Sequence, residues 1–410
     1  MLKRRAAVRT ILLGVATLAL CLDAVAVGAA EPCGSTESGM FGDWRPIAGF
    51  KTSRLQSSGR TFLEVADDTR YVRLFVERPA QAGSGWSLTI RDRDGRVMQV
   101  LGPNDFGESN VTFSRRLANA EGQQTIELEL AAIGERPKLL LRQKIEMPES
   151  GVIGEPYYSR RGDYPWSALY AADVNYRSWG DDVAFIMVGL VEGQAPSTCS
   201  GLAIPPDLLL TNWHCGPVYG LDRKPIVERQ WEQAICDRTT IDLSWDDDGI
   251  SREFICDRVL SSDQQRDYAL LRIRPLDGIS TIAPVSFGPP VSDGKVTIVH
   301  HPAAMKKQIS IECDVLQQMR DKDGIAGIAF GHACDTEKGS SGAPVFDAAG
   351  NVVGLHYSGF EVASGLCDRV NKALWIGPIL QHIEDQIAAT PERFTVPEVR
   401  EIAAAASGAS

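Results

Sequence analysis

Short segments that alternate apolar and polar residues or carry an apolar core, without helical periodicity, constrain the fold of this chain most. YVRLFVERP, QTIELELAAI, DLLLTNW and NVVGLHYSG are examples, and turns rich in Gly, Pro and Asp separate such segments. A helical period appears only near the C-terminal end, in GPILQHIEDQIA. Closely spaced short strands are typical of β-sandwiches and β-barrels, so the sequence predicts an all-β fold with a C-terminal helix.

Composition along the chain predicts two β units. The strands between residues 31 and 150 predict a β-sandwich-like accessory domain. The stretch 151–180, rich in Gly, Pro and charge, is interpreted as a linker. The strands within 181–390 predict one or two antiparallel barrels, and 391–410, which ends in AAAASGAS, is predicted to be a flexible tail.

The N-terminal segment has the order of a secretory signal peptide. Basic residues precede an apolar run, and the small-residue sequences AVA and GAA follow it as two possible cleavage sites. The run is short for a membrane anchor, and Asp23 interrupts its end. We therefore expect a signal peptide at 1–30, no stable membrane span after its removal, and a secreted or periplasmic protein.

The net charge of -11 at pH 7 argues against a nucleic-acid partner. Outside the N-terminal segment, no run of Lys and Arg offers a basic surface for one.

The cysteine count favours disulfides. Of the 9 cysteines, Cys21 would leave with the signal peptide, and the even number that remains contains no Cys-x-x-Cys pair. Counting alone does not fix the pairing. Proximity along the chain suggests Cys199–Cys215, Cys236–Cys256 and Cys313–Cys334, which leaves Cys33–Cys367.

His214 is the first candidate for chemistry. It follows an apolar strand in LLLTNWHCGP, an unusual place for a solvated histidine. A disulfide between Cys199 and Cys215 would clamp the strand CSGLAI to the strand that delivers His214, and would fix the imidazole where its orientation matters. The alternative is a structural histidine beside a structural disulfide.

Asp267 is the second candidate, because it stands directly before the apolar strand YALLRIRP. A buried carboxylate is costly unless it is hydrogen-bonded, so Asp267 is either a surface turn residue or has a dedicated partner. A carboxylate that accepts the Nδ1–H of His214 would set the tautomer of the imidazole and stabilise its protonated form.

The stretch CDTEKGSSGAPVFD places two serines between glycines. Gly and Ser are ordinary turn residues, but a serine in such a turn becomes a nucleophile when a neighbouring base removes its proton. Gly339 lets the backbone turn so that its own N–H and that of Ser341 converge on one point as an oxyanion hole. We therefore predict Ser341 as the nucleophile, His214 as its base and Asp267 as the orienting carboxylate.

TNWHC, RDYALLRI and GSSGAP resemble, in order, the three catalytic motifs of chymotrypsin-like (trypsin-like) serine proteases. The resemblance covers about half of the chain, from Asp181 to Ala388. It implies a two-barrel fold with the site between the barrels, a serine endopeptidase that forms an acyl-enzyme, and a disulfide from Cys199 to Cys215. The motif phase Gly-x-Ser-Gly-x-Pro selects Ser341 over Ser340.

Two features point to the bacterial branch of that family. Ser340 stands where animal digestive members carry the Asp that pairs with a new N-terminus after activation cleavage, which argues against that switch here. NVVGLHYSG and VTIVHHPAAMKKQIS resemble segments of bacterial members similar to glutamyl endopeptidases. His300 and His301 in the second segment are interpreted as structural, and neither a metal nor an organic cofactor is predicted.

Two hypotheses on substrate specificity stay open. Asp335 precedes Ser341 at the distance of the pocket-floor acid of trypsin-like enzymes, which favours cleavage after Arg or Lys. Thr336 and His356 resemble the pair with which glutamyl endopeptidases hold a substrate Glu. The two hypotheses conflict, because the Asp335 carboxylate would repel a substrate Glu that His356 attracts. Asp335 and His356 could instead neutralise each other, which would leave a pocket for neutral residues. The sequence gives a slight preference to basic residues.

The triad and its glycine turn favour an enzyme acting on proteins or peptides over an idle protease fold that only binds a partner. An esterase with the same nucleophile would need the phase Gly-x-Ser-x-Gly, which is absent here. The sandwich carries no chemical motif. Its roles stay open between binding a substrate or cell-surface component, aiding folding, and shielding the cleft until cleavage near Arg160-Arg161.

Overall fold

The computed structural model describes residues 53–55, 60–67, 69–80, 83–119, 125–134, 137–148, 166–188, 197–216, 231–246, 251–280, 282–291, 294–316, 327–359, 362–363, 366–367 and 371–409. Their strands form two N-terminal sheets and two C-terminal barrels, so the predicted all-β class with a two-barrel unit and a C-terminal helix is confirmed. The predicted signal peptide at 1–30, Cys33 and the pair Arg160-Arg161 lie outside the described residues.

The N-terminal sandwich consists of two sheets. Its strands are β1 Ser53–Arg54, β2 Arg60–Glu64, β3 Thr69–Glu77, β4 Trp86–Arg91, β5 Val97–Leu101, β6 Val111–Phe113, β7 Leu117–Ala118, β8 Thr125–Ala132 and β9 Leu140–Pro148. One sheet has the order β1-β9-β3-β6, with β7 also paired to β3, and the other has the order β2-β8-β4-β5. Apolar side chains such as Leu74, Leu88 and Leu128 fill the space between them.

Strand β3 is buried on both faces. Val72, Leu74 and Val76 belong to the core of the sandwich. Successive side chains of a strand point to opposite faces, so Arg73 and Phe75 point away from that core, where Phe75 joins a second apolar cluster that includes residues of the first barrel. The sandwich is therefore packed against the rest of the chain through this sheet.

The first barrel is closed. Its strands are β11 Val183–Val188, β12 Ser197–Ile204, β13 Leu208–Thr211, β14 Thr240–Asp242, β15 Glu253–Asp263 and β16 Tyr268–Pro275, paired around the ring in the order β11-β12-β13-β16-β15-β14. The fully buried pattern of β11 and β13 fits strands with apolar neighbours on both faces.

The second barrel closes through an extra pairing. Its strands are β17 Lys295–His300, β18 Gln308–Leu316, β19 Ala329–His332, β20 Pro344–Phe346, β21 Val352–Ser358 and β24 Asn371–Trp375. They follow the order β18-β17-β20-β21-β24-β19, and β19 pairs back to β18. A separate hairpin is formed by β22 Val362–Ala363 and β23 Leu366–Cys367.

Part of the predicted linker belongs to the second barrel, so the interpretation of 151–180 is wrong for its described part, 166–180. Strand β10, Ser167–Ala168, pairs with β18. Helix α1, Val174–Gly180, follows, with the side chain of Asp173 capping its first turn. Apolar side chains of this segment, such as Leu169, pack into the main core, which the sequence pattern did not reveal.

The predicted flexible tail at 391–410 is also wrong. After the short α2, Gln233–Cys236, and the predicted helix α3, Ile376–Ala389, the chain forms α4, Val396–Gly408. Ile402 and Ala405 of α4 pack into a core shared by both barrels and α3. The Glu398 carboxylate accepts two hydrogen bonds from the Arg272 guanidinium, at 2.6 and 2.7 Å.

Candidate active site

The His214 imidazole is held by Asp267 at the edge of the first barrel. His214 lies in the turn Trp213–Cys215 after β13, and Asp267 lies in the turn between β15 and β16. His214 Nδ1 is 2.7 Å from Asp267 Oδ2, and the backbone N–H of His214 donates to Asp267 Oδ1 at 2.9 Å. Both carboxylate oxygens therefore orient the same residue.

Two neighbouring side chains fix the backbone of Asp267 in turn. Its φ of 43° lies in the left-handed region, which Asp tolerates better than most residues. The side-chain amide of Asn212 donates to the Asp267 carbonyl at 2.8 Å, and Trp231 Nε1 donates to the Asn212 carbonyl at 3.1 Å. Asn212 and Trp231 were missed by the motif search, although Asn212 lies inside the quoted TNWHC.

Ser341 completes the constellation from the second barrel. It lies in the turn between β19 and β20, and its Oγ is 2.9 Å from His214 Nε2. Because Nδ1 of the imidazole faces a carboxylate, Nε2 is the acceptor that can take the Ser341 hydroxyl proton. The structure thus brings together the three residues that the sequence predicted from separate motifs.

The turn around Ser341 needs glycine at two positions. Gly339 and Gly342 have φ values of 95° and 84°, where an L side chain is strained. A Cβ on Gly339 would lie 2.5 Å from the His301 carbonyl oxygen, so the backbone approach also excludes a side chain. This is the physical reason for the Gly-Ser-Ser-Gly sequence.

The Gly339 peptide is oriented by a hydrogen bond on its other side. The N–H of Ala303 donates to the Lys338 carbonyl at 2.5 Å. Since a trans peptide is planar, with C=O and N–H on opposite sides, this bond turns the Gly339 N–H away from Ala303. The arrangement suits the predicted oxyanion hole of Gly339 and Ser341.

Ser200, which sequence reasoning missed, joins the two barrels beside Ser341. This fully buried residue of β12 donates its hydroxyl to the Gly339 carbonyl at 2.8 Å and accepts the N–H of His301 at 2.9 Å. Its own N–H donates to the Ser341 carbonyl at 2.7 Å. The only sequence signal was the run of small residues after Cys199.

The neighbouring Ser340 is engaged elsewhere. Its Oγ lies 2.7 Å from His300 Nδ1, and its side chain is fully buried. Burial lowers the pKa of His300 well below its usual value. Burial also lowers the pKa of His301 to about 3, with the charge of Lys307 adding to the effect. Both histidines are fully buried, His300 at the end of β17 and His301 against Phe185 of the first barrel, which fits the structural role expected for them.

Thr336 and His356 lie next to the nucleophile turn. His356 belongs to β21, and its carbonyl accepts the N–H of Gly342 at 2.8 Å. Its Nδ1 is 3.1 Å from Nε2 of His332, a second buried histidine that the sequence analysis had not singled out. Burial lowers the pKa of His332 to about 3 and that of His356 well below its usual value. The Oγ1 of Thr336 is buried and has no hydrogen-bond partner within the part of the chain that the structure describes.

Asp335 is held by its backbone rather than by its carboxylate. Its carbonyl accepts the hydroxyl of Ser310 at 3.1 Å, next to the disulfide of Cys334. Partial burial raises the pKa of its carboxyl. Among the described residues, no Lys, Arg or His pairs with this carboxylate.

Three of the four predicted disulfides are present: Cys199–Cys215, Cys236–Cys256 and Cys313–Cys334. The fourth, Cys33–Cys367, falls on a residue outside the described set and on a side chain that is not described. Within the described residues, no cluster of His, Cys, Asp and Glu has the arrangement of a metal site. No described helix combines the length and apolar character needed to cross a bilayer.

Chemically, the constellation can carry out nucleophilic attack on a carbonyl. Ser341 Oγ can pass its proton to His214 Nε2 as it attacks, while Asp267 stabilises the imidazolium that forms. Backbone N–H groups of the glycine turn can stabilise the developing oxyanion.

A family model described as a trypsin-like peptidase domain matches residues 199–355, a range that contains all three of these residues. No match was found among curated proteins.

Several solved protease structures are similar to part of the chain. The active form of the Rv3671c protease from M. tuberculosis is 19% identical, with a TM-score of 0.35, and the match covers 52% of this chain and 82% of that one. The HtrA-type protease AlgW with a tripeptide is 19% identical, with a TM-score of 0.38 and coverage of 51% and 61%. A serine endoprotease from Yersinia pestis is 14% identical, with a TM-score of 0.35 and coverage of 52% and 65%.

Proposed function

We propose that this chain is an exported serine endopeptidase that cleaves peptide bonds through an acyl-enzyme intermediate. The observation that carries the proposal is the continuous contact from Asp267 through His214 to Ser341, with distances of 2.7 and 2.9 Å. The trypsin-like peptidase match over the same residues supports it.

In the proposed cycle, Ser341 attacks the scissile carbonyl while His214 takes its proton. The N–H groups of Gly339 and Ser341 stabilise the tetrahedral oxyanion, and a lost donor of this kind typically costs about 10² to 10³ in rate. His214 then protonates the leaving amine, and the C–N bond breaks to leave an ester on Ser341. Water, activated by His214, hydrolyses that ester and restores the enzyme.

Export is supported by the three disulfides of the described barrels, because such bonds persist in oxidising compartments. The predicted signal peptide at 1–30 agrees with a secreted or periplasmic location.

For specificity, we propose cleavage after Arg or Lys, supported by the partly buried Asp335 carboxylate, which no described basic residue pairs with. A substrate cation would give this group the partner it lacks, and a neutral substrate would leave it unpaired. The second candidate is cleavage after Glu, as in the glutamyl endopeptidases that the sequence resembles. The buried Thr336 Oγ1, which has no hydrogen-bond partner among the described residues, favours that candidate.

The test is a cleavage-site profile of the full chain on a diverse peptide mixture, with labelling by a fluorophosphonate probe. We expect the wild type to cleave peptides and to be labelled, and Ser341→Ala to do neither. Ser340→Ala should still cleave and be labelled, because the Ser340 hydroxyl faces His300 and not His214. Cuts after Arg and Lys that disappear in Asp335→Asn support the first specificity, and cuts after Glu that disappear in Thr336→Val support the second. Folded wild type that neither cleaves nor labels contradicts the enzyme and favours a binding protein with an idle protease fold.

A further inference from the structure

We propose that the N-terminal β-sandwich is a working part of this active site: docked on the first barrel, it holds through Trp245 the loop that orients the Gly339 N–H group. The inference rests on the proposed function, because it gives the sandwich a role in stabilising the oxyanion of that same reaction. Two segments connect the sandwich to Gly339, namely the docking segment, residues 242–246, and the support loop, residues 301–307.

The sandwich is fastened to the docking segment by buried charges. The guanidinium of Arg73, which is fully buried, pairs with Asp242 at 2.5 Å and with Glu253. Arg116 pairs with the same Asp242 oxygen at 3.0 Å and donates to the Ser244 carbonyl at 3.0 Å. Burial alone would raise the pKa of Asp242, but the guanidinium groups of Arg116 and Arg73 lower it. Asp242 therefore stays ionised and the attachment persists at neutral pH.

Trp245 is enclosed from the sandwich side. Its ring and that of Tyr71 of β3 form a T-shaped pair with centroids 5.8 Å apart, and the Arg116 guanidinium lies 5.2 Å from its ring centroid. Phe185 of the first barrel stacks against it at 6.0 Å. The indole is 1% exposed, so its position depends on residues of both units.

The docking segment is bonded to the support loop at several points. Trp245 Nε1 donates to the Ala304 carbonyl at 3.0 Å, and the N–H of Lys307 donates to the Trp245 carbonyl at 2.9 Å. The buried ammonium group of Lys307 donates to the Leu243 carbonyl at 2.8 Å and pairs with Asp246 at 3.0 Å. Each segment therefore donates hydrogen bonds to the other and accepts hydrogen bonds from it, which fixes their relative position.

The support loop needs such fixing because its backbone is strained. Ala303 and Ala304 have φ values of 51° and 60°, in the left-handed region that non-glycine residues rarely adopt. Two consecutive residues in this region persist only where neighbouring structure holds them. Ala304 is held on both sides, by its hydrogen bond from Trp245 and by burial in the cluster between sandwich and barrel.

The strained loop is the part that touches the oxyanion turn. Ala303 donates its N–H to the Lys338 carbonyl at 2.5 Å, and this bond sets the direction of the Gly339 N–H. If Ala303 relaxed to an ordinary conformation, its N–H would turn away from Lys338 and the peptide before Gly339 would be free to rotate. Trp245 is therefore a positioning residue that acts on the Gly339 N–H through Ala304 and Ala303 of the support loop.

The test compares full-length Trp245→Phe and Tyr71→Leu with the wild type, using p-nitrophenyl acetate as an unspecific acylating probe. Trp245→Phe removes the N–H that holds Ala304, and Tyr71→Leu removes the aromatic contact between the sandwich and the indole while leaving that of Arg116. The pre-steady-state burst gives two readouts, because its amplitude counts folded sites and its rate constant reports the acylation step. Trp86→Phe is the control, since this buried indole of the sandwich core donates no hydrogen bond to a described residue.

We expect both test variants to lower the acylation rate constant by about 10- to 100-fold, with unchanged amplitude per folded molecule. The dissociation constant of the probe, taken from the concentration dependence of the burst rate, and the shape of the pH–rate profile should match the wild type, because His214 and Asp267 are not touched. Trp86→Phe should keep the wild-type rate constant. If Trp245→Phe does not fold, Tyr71→Leu decides alone.

Two results would overturn the inference in distinguishable ways. An active wild type with test variants that lose amplitude but keep the rate constant would leave the endopeptidase intact and reduce Trp245 to a stabilising residue. A wild type without any burst or labelling would remove the proposed function, and this inference with it.

Discussion

Ser200 of the first barrel donates its hydroxyl hydrogen to the carbonyl of Gly339 in the second, 2.8 Å away. The same oxygen accepts the N–H of His301, so one buried hydroxyl satisfies the nucleophile turn and the support loop together. The relative position of the two barrels at Ser341 therefore depends on a short side chain that carries no catalytic signature.

Replacing Ser200 with Ala is expected to lower both stability and activity. The Gly339 carbonyl and the His301 N–H would each lose a partner in a buried place, and we expect the free energy of unfolding to fall by about 2 kcal/mol. Urea denaturation measures this, and the acylation burst reports the site. Ser178→Ala on the exposed surface of α1 is the control and should stay within about 0.5 kcal/mol of the wild type. A Ser200→Ala variant as stable as this control would contradict the bridging role.

Asp267→Asn should preserve the fold and remove most of the activity. The Asn oxygen can still accept the His214 N–H, but a side-chain amide facing Nδ1 favours the wrong tautomer, for which a loss of about 10⁴ in kcat is typical at neutral pH. Hydrolysis rates between pH 6 and 10 check this. Asp263→Asn, at the other end of the same turn, should retain nearly full activity, because its carboxylate faces Arg266. Equal losses of activity in the two variants would argue against Asp267 as the residue that orients His214.

His332 should make the protein less stable as the pH falls. Burial lowers its folded-state pKa to about 3, whereas in the unfolded chain it takes up a proton below about pH 6.5. Unfolding therefore binds a proton, and stability is lost as the pH falls from about 6.5 towards 3. We expect His332→Gln to lose about 2 kcal/mol less than the wild type between pH 7 and pH 5 in urea titrations. Parallel losses in the two proteins would show that this imidazole is not the cause.

The packing of α4 gives a stability prediction for the C-terminal part. Ile402 is 2% exposed in the core shared by both barrels, so Ile402→Ala should lower the free energy of unfolding by about 2 to 4 kcal/mol. Val396 in the first turn of α4 is 72% exposed, and Val396→Ala should have almost no effect. Thermal unfolding of both variants measures this. If α4 were not packed on the core, the two substitutions would change the stability by the same small amount.

Local motifs were enough to select three residues that the structure brings into contact, and to predict three disulfides. His214, Asp267 and Ser341 each stand beside a strand with its own short sequence signature, and a barrel brings such strand ends together. The cysteines paired with near neighbours in the sequence, where chain proximity is a sufficient guide.

Features that depend on distant partners were not predictable from the sequence. Arg73 and Asp242 are 169 residues apart, and nothing local to either shows that they pair. Ala303 carries no sign of a left-handed backbone, since Gly or Asn is the usual signal. The alanines of α4 suggested a frayed end because an Ala-rich helix has few side chains to mark a buried face; here Ile402 supplies the contact.

The split of the triad between barrels also bears on self-digestion. His214 and Ser341 belong to different barrels and are 127 residues apart in the chain, so a newly made or half-folded copy has no assembled catalytic site. Under the proposed function, a copy whose barrels separate would lose its proteolytic activity in the same event that exposes its own strands to cleavage. Unfolding of one molecule would then supply its neighbours with a substrate and not with another protease.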